Sequence, residues 1–242
     1  MRLLCDLGNT RMKWAWVEGA QLSGFGAGDY SGTNTYATRL AGPVKPTAIA
    51  AMSVARHRNE AFTRFCEKQW ALSPCWYRSL RAGFGVSSLY EPPDALGVDR
   101  FAALVGARAR FPGQAVCVAD CGTAITIDAM DSEGVFQGGA ILPGLLAAAD
   151  ALRAIAPHLV IPAHDRFYAA YGRTTHDAMG AGLVLGAAGA IERIFRDQGA
   201  VLGHHARLVL TGGDAARLAP YLTGPYEHLA HLTLEGLAVM AS

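Results

Sequence analysis

Charge is scarce in this chain of 242 residues, and the little that is present balances. Only 17% of the residues are charged, and 21 basic residues against 20 acidic ones leave a formal net charge of +1. No block of Lys and Arg residues occurs. A protein that binds nucleic acid or an acidic membrane surface through charge needs such a block or patch. We therefore expect neither nucleic acid nor membrane among the partners.

The sequence also has little that would direct it out of the cytoplasm. Only three apolar residues separate Arg2 from Asp6, which is too few for a signal peptide. The longest uncharged run near a predicted helix, residues 178–191, is shorter than the roughly 20 residues that span a bilayer. The five cysteines form no Cys-x-x-Cys pair and are odd in number, which favours free thiols in a reducing compartment. These features predict a cytoplasmic protein.

Two Asp-x-Gly turns are the most informative feature of the sequence. Residues 2–17 and 116–130 each comprise an apolar strand, a polar turn and a second apolar strand. The turns begin at Asp6 and Asp120, and the offset of 120 − 6 = 114 residues is close to half of the chain. Glycine in such a turn lets backbone N–H groups approach a phosphate. We expect an internal duplication, with an N-terminal domain of residues 1–113 and a C-terminal domain of residues 114–242.

Hydrophobic periodicity predicts the remaining elements of an α/β protein. The glycine-, serine- and aspartate-rich segment 24–32 is expected to be a loop, as are residues 78–90. A short helix is a candidate at residues 36–40. Strands are expected over 47–54, 75–77, 135–141 and 207–210, and helices over 57–69, 99–111, 145–154, 174–196, 216–222 and 232–240.

The strand ends carry residues suited to phosphate chemistry. Carboxylates such as those of Asp6 and Asp120 hold Mg²⁺ directly or through water. Lys13, on the returning strand of the first hairpin, adds a point charge. Residues 211–213, Thr-Gly-Gly, form a third turn at a strand end. One Asp-Gly turn alone is more often structural, but three of them at strand ends indicate nucleotide binding.

The segment from Tyr90 to Arg100 offers a candidate for acid–base chemistry. Its last four residues, Gly97-Val98-Asp99-Arg100, open a predicted helix. Asp99 could be an N-cap and nothing more, since Asp is favoured there. It could equally be the carboxylate that phosphoryl transfer to an alcohol requires beside the attacking hydroxyl. Arg100 would then bind an acidic substrate or neutralise charge on the transferring group.

Taken together, these motifs resemble the type III pantothenate kinase family, also called the Bvg accessory factor family. The resemblance implies an α/β, actin-like fold, as in acetate and sugar kinases, Hsp70 and actin, with two duplicated ribonuclease-H-like domains of mixed sheets flanked by helices. The motifs that carry it are Asp6-x-Gly-Asn-Thr-x-x-Lys13, Tyr90 to Gly97-Val-Asp-Arg100, Asp120-x-Gly-Thr-Ala-x-Thr-x-Asp128, Gly138-Gly-x-Ile-x-Pro-Gly144 and Thr211-Gly-Gly213.

The resemblance also implies a reaction, its cofactors and an assembly. Members transfer the γ-phosphate of ATP to pantothenate, the first step of coenzyme A biosynthesis. They need Mg²⁺ with ATP and a monovalent cation, K⁺ or NH₄⁺, and they are homodimers. Asp99 would be the general base, Asp120 matches the position that holds the monovalent cation, and Asp6 would organise Mg²⁺ directly or through water.

Two sets of binding residues follow from the same resemblance. Residues 172–175, Gly-Arg-Thr-Thr, depart from the family's Gly-Lys-Asn-Thr pattern, and Cys121 replaces a residue that is usually aliphatic. ATP would contact Asp6, Leu7, Gly8, Asn9, Thr10, Arg11, Met12, Lys13, Thr123, Gly212 and Gly213. Pantothenate would contact Tyr90, Gly97, Val98, Asp99, Arg100 and Thr175.

Two other functions stay open on the sequence. One is a non-catalytic regulatory or accessory protein, which the family's second name suggests. The other is an actin-fold kinase for another small hydroxy acid or a sugar. The presence of Asp99 and of the first-turn residues argues against the former, and the match of residues 90–100 argues against the latter.

Overall fold

The computed structural model describes residues 1–31, 36, 40, 45–92, 95–158, 170–203 and 205–242, and the chain divides into two compact units. The first unit comprises Met1–Pro112 together with His231–Ser242, and the second comprises Gly113–Ala230. The candidate helix at residues 36–40 lies mostly outside the described residues.

The first unit is built on a five-stranded mixed sheet. Its strands are β1 (Arg2–Leu7), β2 (Arg11–Glu18), β3 (Gln21–Asp29), β4 (Ala48–Ser53) and β5 (Cys75–Tyr77), in the order β3-β2-β1-β4-β5. The first three strands form an antiparallel meander, whereas β4 and β5 run parallel to β1 and to each other. Five consecutive residues of β1, from Leu3 to Leu7, are buried, as expected for a central strand with both faces covered.

The second unit repeats this topology. Two short strands, β6 (Ala82–Gly83) and β7 (Val86–Ser88), form a hairpin that belongs to the first unit. The strands of the second unit are β8 (Val116–Cys121), β9 (Ala124–Met130), β10 (Val135–Pro143), β11 (Arg207–Thr211) and β12 (Glu227–His228). Strands β8, β9 and β10 form an antiparallel meander, and β11 and β12 are parallel to β8, in the order β12-β11-β8-β9-β10. Strand β8 therefore corresponds to β1. The predicted duplication and α/β class are confirmed.

Helices connect the strands of each sheet. The longest helix of the second unit begins after Thr174, whose hydroxyl accepts a hydrogen bond from the backbone N–H of Asp177 at 3.1 Å. That bond satisfies one of the helix's unpaired N–H groups. The helices are α1 (Asn59–Trp70), α2 (Val98–Arg110), α3 (Leu145–Ile155), α4 (Thr175–Leu202), α5 (Ala215–Leu218) and α6 (Leu232–Met240), with 3₁₀ turns at Arg56–Arg58 and Ala219–Tyr221.

The last helix, α6, differs from the sequence-based division of the chain, which placed all of residues 114–242 in one domain. It belongs to the first unit. Its backbone packs so closely against α2 that a Cβ at Gly236 would lie 1.7 Å from the Ala102 carbonyl oxygen. Leu232, Leu234 and Leu237 of α6 are buried. A helix from the far end of the sequence therefore completes the first unit.

Two segments expected to be loops are strands. The glycine-rich segment 24–32 contains most of β3, and residues 78–90 contain the β6–β7 hairpin. In β3 the glycines form a surface on which tryptophans of β2 lie: a Cβ at Gly26 would come within 2.2 Å of the Trp14 ring. Glycine content predicts loops because glycine lacks a side chain to pack. Here cross-strand tryptophans supply the packing.

Helix α4 is long and apolar enough to cross a membrane by length and composition alone. A core helix of a globular protein passes the same test. One side of α4 packs on β8 and β9, with Ala181, Val184, Ala188 and Ile191 buried. Only 28% of its most apolar window is buried, however. The exposed positions of α4 include Ala178, Gly182, Gly186 and Gly189, so small residues form part of its outward surface.

Candidate active site

The first turn places a carboxylate and an ammonium side by side. Asp6 in β1 is the register partner of Lys13 in β2, and Lys13 Nζ lies 3.9 Å from Asp6 Oδ2. Asp6 is only 3% exposed. The backbone N–H of Gly8 donates to the carbonyl of Arg11 at 3.0 Å and closes the turn. An acid of the kind that binds Mg²⁺ and a cation of the kind that binds phosphate therefore share one strand end.

The residues of this turn differ in what they can offer a ligand. Asn9, Thr10 and Arg11 are exposed, whereas the side chains of Leu7 and Met12 are fully buried. Leu7 and Met12 pack in the core of the first unit with other apolar residues. Of the eight residues from 6 to 13 that the sequence predicts for ATP, these two can contribute only backbone groups.

The second and third turns lie beside one another in the second unit. Asp120 and Thr211 are register partners in the parallel pair β8 and β11. The backbone N–H of Asp214 donates to the Cys121 carbonyl at 2.9 Å. Gly212, with φ of +92°, leaves room for the Asp120 carboxylate beside its backbone. Thr123 is exposed at the tip of the β8–β9 turn. Asp120, Thr123, Gly212 and Gly213 therefore gather at the carboxyl ends of two neighbouring parallel strands, where α/β sheets commonly bind ligands.

A further motif residue supports the second turn. The backbone N–H of Gly144, just before α3, donates to the Thr123 carbonyl at 3.1 Å. Pro143 pairs with Ala124 at the end of the β9–β10 ladder. Pro143 and Gly144 therefore stabilise the turn that carries Thr123.

Cys121 is part of the core of the second unit. Its side chain is fully buried among apolar residues of β8, β9 and α4. Burial, with the nearby Asp120 and Asp214 carboxylates, raises the pKa of the Cys121 thiol to about 12. The thiol is protonated at neutral pH and acts as a small hydrophobic group. It offers no anionic sulfur to a cation at Asp120.

The start of helix α2 does not match the interpretation that Asp99 is its N-cap. The N-cap residue is Gly97, and Asp99 lies in the first turn of the helix. Asp99 Oδ1 accepts a hydrogen bond from the backbone N–H of Arg100 at 2.8 Å. A Cβ at position 97 would lie 2.6 Å from this oxygen, so a glycine there makes room for the carboxylate. Asp99 is therefore not the N-cap of α2.

Arg100 and Tyr90 are brought together beside Asp99. Arg100 is only 8% exposed, and its guanidinium carbon lies 5.4 Å from the centroid of the Tyr90 ring. The backbone N–H of Tyr90 donates to Ser88 Oγ at 3.1 Å, which anchors the tyrosine to β7. A guanidinium held over an aromatic face is well ordered for binding an anionic group.

Thr175 lies in the second unit, as the first residue of α4. It contributes to an apolar groove of about 590 Å³ between α3 and α4. The groove is lined mainly by Pro143, Leu152, Ile155, Thr175, Met179 and Leu183.

The described residues suit a Mg²⁺ ion that is bound together with a nucleotide better than an ion held entirely by protein ligands. Such an ion takes one or two carboxylates and completes its shell with water and phosphate oxygens. The buried Asp6 carboxylate beside an exposed turn meets that need. Within the part of the chain that the structure describes, no three His, Cys, Asp or Glu side chains are grouped to hold a metal ion. At Asp120, the carboxylate and the Cys121 carbonyl flank Gly212 and are oxygen donors suited to a hard cation.

Two residues beside the first turn were missed by sequence reasoning. The Tyr30 hydroxyl donates to the Gly8 carbonyl at 2.8 Å. The Arg58 guanidinium carbon lies 3.7 Å from the centroid of the Tyr30 ring. Tyr30 follows β3, and Arg58 belongs to the 3₁₀ turn after β4. No local pattern marks either residue, because their proximity to Gly8 depends on the order of strands in the sheet.

Comparisons with known proteins agree on one family. The family model described as "Type III pantothenate kinase" matches residues 2–197. A type III pantothenate kinase from Nitrosococcus oceani is 33% identical over 250 residues, covering 100% of this chain and 94% of the relative. Another, from Aromatoleum aromaticum, is 37% identical over 254 residues, covering 100% of this chain and 98% of the relative.

Solved structures share the fold at lower identity. A protein from Campylobacter jejuni described as a Baf family transcriptional activator has a TM-score of 0.62 at 22% identity and covers 99% of this chain and 97% of its own. A protein from Sinorhizobium meliloti described as a 2-dehydro-3-deoxygalactonokinase has a TM-score of 0.53 at 13% identity and covers 100% of this chain and 98% of its own. These likenesses concern the fold alone. With the strand topology that the two units share, they confirm the expected actin-like class.

Proposed function

Since the chain belongs to the type III pantothenate kinase family, we infer that it transfers the γ-phosphate of ATP to pantothenate, the first step of coenzyme A biosynthesis. The match over residues 2–197 carries this inference. The kinase uses ATP with a divalent metal ion, as its family implies. The start of α2, with Asp99, Arg100 and Tyr90, supports the assignment because it supplies an acid and an ordered cation in one place.

Asp99 is the proposed general base. Its carboxylate accepts the proton of the pantothenate hydroxyl as the hydroxyl oxygen forms its bond to the γ-phosphorus and the bond to the ADP oxygen breaks. The N-terminus of α2 favours the ionised carboxylate. Arg100 binds the anionic end of pantothenate or the transferring phosphoryl group. Tyr90, Gly97, Val98 and Thr175 are the other proposed pantothenate contacts, with Val98 contributing backbone because its side chain is buried.

ATP is proposed to bind at the three turns. The first turn, residues 6–13, contributes backbone groups and the Lys13 ammonium. Thr123, Gly212 and Gly213 contribute from the second unit. Asp6 would hold Mg²⁺ directly or through water, and the ion would neutralise charge on the β- and γ-phosphates. Asp120 would hold a monovalent cation, K⁺ or NH₄⁺, together with the Cys121 carbonyl.

We propose that the protein is a homodimer in which a second copy covers α3 and α4. The outward surface of α4 includes small residues, and positions 182, 186 and 189 are glycines with nothing described within 4 Å of where a Cβ would lie. Ile155, which lines the groove between these helices, is 83% exposed, and Leu146 of α3 is 50% exposed. Exposed apolar area of this kind marks an interaction surface. A second copy is favoured over a membrane because small residues let helices of two subunits approach closely.

The proposed compartment is the cytoplasm, and nucleic acid is not a proposed partner. All five cysteines are free thiols, four of them buried, as suits a reducing environment. The net charge of +1 provides no general attraction to nucleic acid.

A coupled assay of ADP release, with and without pantothenate, tests the proposed function. We expect pantothenate-dependent ADP formation and one equivalent of 4′-phosphopantothenate by mass spectrometry. ADP release that responds to a sugar or another hydroxy acid but not to pantothenate would contradict the substrate. Absence of turnover with all of them, in protein that is folded and metal-supplied, would favour the accessory role.

A further inference from the structure

Tyr30 reaches the backbone of the first turn from a neighbouring part of the sheet. Its hydroxyl donates to the Gly8 carbonyl at 2.8 Å. Burial raises the pKa of the Tyr30 phenol above its ordinary value of 10.0, so the hydroxyl keeps its proton and remains a donor throughout the range in which a kinase is assayed. The bond holds the peptide group between Gly8 and Asn9 in one orientation.

Arg58 holds the tyrosine from the other side. Its guanidinium carbon lies 3.7 Å from the centroid of the Tyr30 ring, well within the distance at which a cation is attracted to an aromatic face. Arg58 Nε is buried, with no hydrogen-bond partner among the residues described. The segment that follows β4 positions Arg58. At its start, the backbone N–H groups of Val54 and Ala55 donate to the Leu7 carbonyl at 3.2 and 3.4 Å. The cation is therefore tied to the same strand end as the turn.

We propose that Tyr30 and Arg58 are positioning residues that hold the first turn in its ATP-binding shape, an inference that rests on the proposed ATP site at residues 6–13. The Gly8 N–H donates within the turn, to the Arg11 carbonyl. The next residue, Asn9, is exposed, and we take its backbone N–H as the group that meets a phosphate oxygen. The N–H of Asn9 belongs to the peptide group that Tyr30 orients through the Gly8 carbonyl. Pre-orienting such a group lowers the cost of binding.

Arg58 adds a second effect, because its charge is close to the turn. Lys13 is already paired with Asp6 at 3.9 Å, so Arg58 is a further cation near the same strand end. Its field favours a polyanionic nucleotide, and salt screens that field. Loss of the Arg58 charge is therefore expected to weaken ATP binding and also to reduce its dependence on ionic strength.

Three variants of the full-length protein test the proposal by steady-state kinetics and by calorimetric titration with MgATP. Tyr30→Phe keeps the ring and removes the hydroxyl, and we expect the KM and Kd for ATP to rise about three- to tenfold, the usual effect of one lost hydrogen bond. Values of kcat and of KM for pantothenate should stay within about twofold. Arg58→Gln should raise the KM for ATP by a similar factor and flatten its salt dependence. Arg56→Gln, an exposed arginine of the same 3₁₀ turn, should match the wild type.

The outcomes separate this proposal from the proposed function. If Asp6→Asn strongly impairs turnover while Tyr30→Phe and Arg58→Gln leave the ATP constants unchanged, the positioning role is overturned and the kinase assignment stands. If Asp6→Asn itself has no effect, the proposed ATP site fails. A uniform fall in kcat with both KM values unchanged, or an equal effect of Arg56→Gln, would also overturn the positioning role. Should Tyr30→Phe fold poorly, Arg58→Gln with its salt dependence decides alone.

Discussion

The Asp120 carboxylate lies against the backbone of Gly212, so closely that a Cβ at position 212 would come within 2.3 Å of Asp120 Oδ1. The parallel register explains this contact, because Asp120 is opposite Thr211, the last residue of β11, and the residue that follows this strand lies beside the carboxylate. The Asp214 N–H bond to the Cys121 carbonyl joins the two turns a second time. The second and third turns therefore behave as one structural element.

Gly212→Ala is expected to damage that element. The new methyl group would collide with Asp120, and φ of +92° is unfavourable for alanine. We expect the KM for ATP to rise at least about tenfold and stability to fall by roughly 1–3 kcal/mol, the cost of forcing a side chain into such a conformation. Gly224→Ala is the control, since nothing lies within 4 Å of a Cβ there and its φ is not positive. Equal behaviour of the two variants in kinetics and thermal unfolding would contradict the argument.

The activities of the Asp6→Asn and Asp120→Asn variants should be restored by different ions. Loss of a carboxylate that binds an ion costs several kcal/mol of transition-state stabilisation, so both variants should lose about 100-fold or more in kcat at limiting ion. Raising Mg²⁺ should partly restore Asp6→Asn and not Asp120→Asn, and raising K⁺ should do the reverse. Activity titrations with each ion measure this. Full activity of either variant at limiting Mg²⁺ and K⁺ would remove that residue from the ion assignments.

Asp99→Asn should give a folded enzyme that binds ATP and turns over slowly. Removal of a general base typically lowers kcat about 10²–10⁴-fold. Because Asp99 lies in the first turn of α2 and is not its N-cap, replacement by the amide should cost less than about 1 kcal/mol of stability through the helix dipole. Glu60→Gln, in the first turn of α1, is the matched control and should keep wild-type kcat. We would withdraw Asp99 as the base if kcat of Asp99→Asn stayed within about threefold of wild type.

Ile155→Glu should dissociate the proposed homodimer. Ile155 is 83% exposed at the end of α3, so a glutamate there is harmless to the isolated subunit and costly when a second copy covers it. We expect dimer affinity to fall at least about tenfold by light scattering over a concentration series. Leu80→Glu, at a 43% exposed position outside α3 and α4, should remain dimeric. A wild-type protein that is monomeric at micromolar concentration would exclude the dimer.

Glu192→Gln should lose stability in a pH-dependent way. The Glu192 carboxylate accepts hydrogen bonds from Thr223 N at 2.6 Å, Thr223 Oγ1 at 2.8 Å and Gly224 N at 3.2 Å. The pKa of Glu192 is lowered below its usual value of 4.5, and the hydrogen bond from the Thr223 backbone N–H is the largest cause. The stabilisation is therefore present above pH 4.5 and is lost as the pH falls through the lowered pKa. Urea unfolding should show a deficit for Glu192→Gln at pH 7 that shrinks in acid, and a deficit unchanged with pH would contradict this.

The parts of the fold that follow from the sequence are those in which local pattern and tertiary environment agree. Strands β1 and β8 are continuous apolar runs that end in Asp-x-Gly, and they are the buried central strands. Their turns are short, so the pairing of each hairpin is fixed by the chain itself. The same holds for α2, whose apolar spacing and Pro112-Gly113 stop signal lie in one stretch of sequence.

The parts that do not follow depend on partners distant in sequence. Strand β3 has the composition of a loop, and it is a strand because Trp14 and Trp16 cover its glycines. Helix α6 looks like an element of the second half, and it joins the first unit because α2 presents a surface of small residues. Tyr30 and Arg58 meet at Gly8 only once β3, β1 and β4 are assembled. The local propensities of the residues predict none of these contacts.

The membership of α6 in the first unit has a consequence for biosynthesis. A ribosome makes residues 1–112 first, then the whole of the second unit, and only afterwards residues 231–242. Throughout that interval the α2 surface around Ala102 and Gly106 has no partner, since Gly236 and Leu232 do not yet exist in the nascent chain. Residues 113–230, in contrast, are contiguous and can fold as soon as they emerge. The unit whose synthesis begins first is thus the last to be completed, and the face of α2 that α6 covers stays exposed on the growing polypeptide until then.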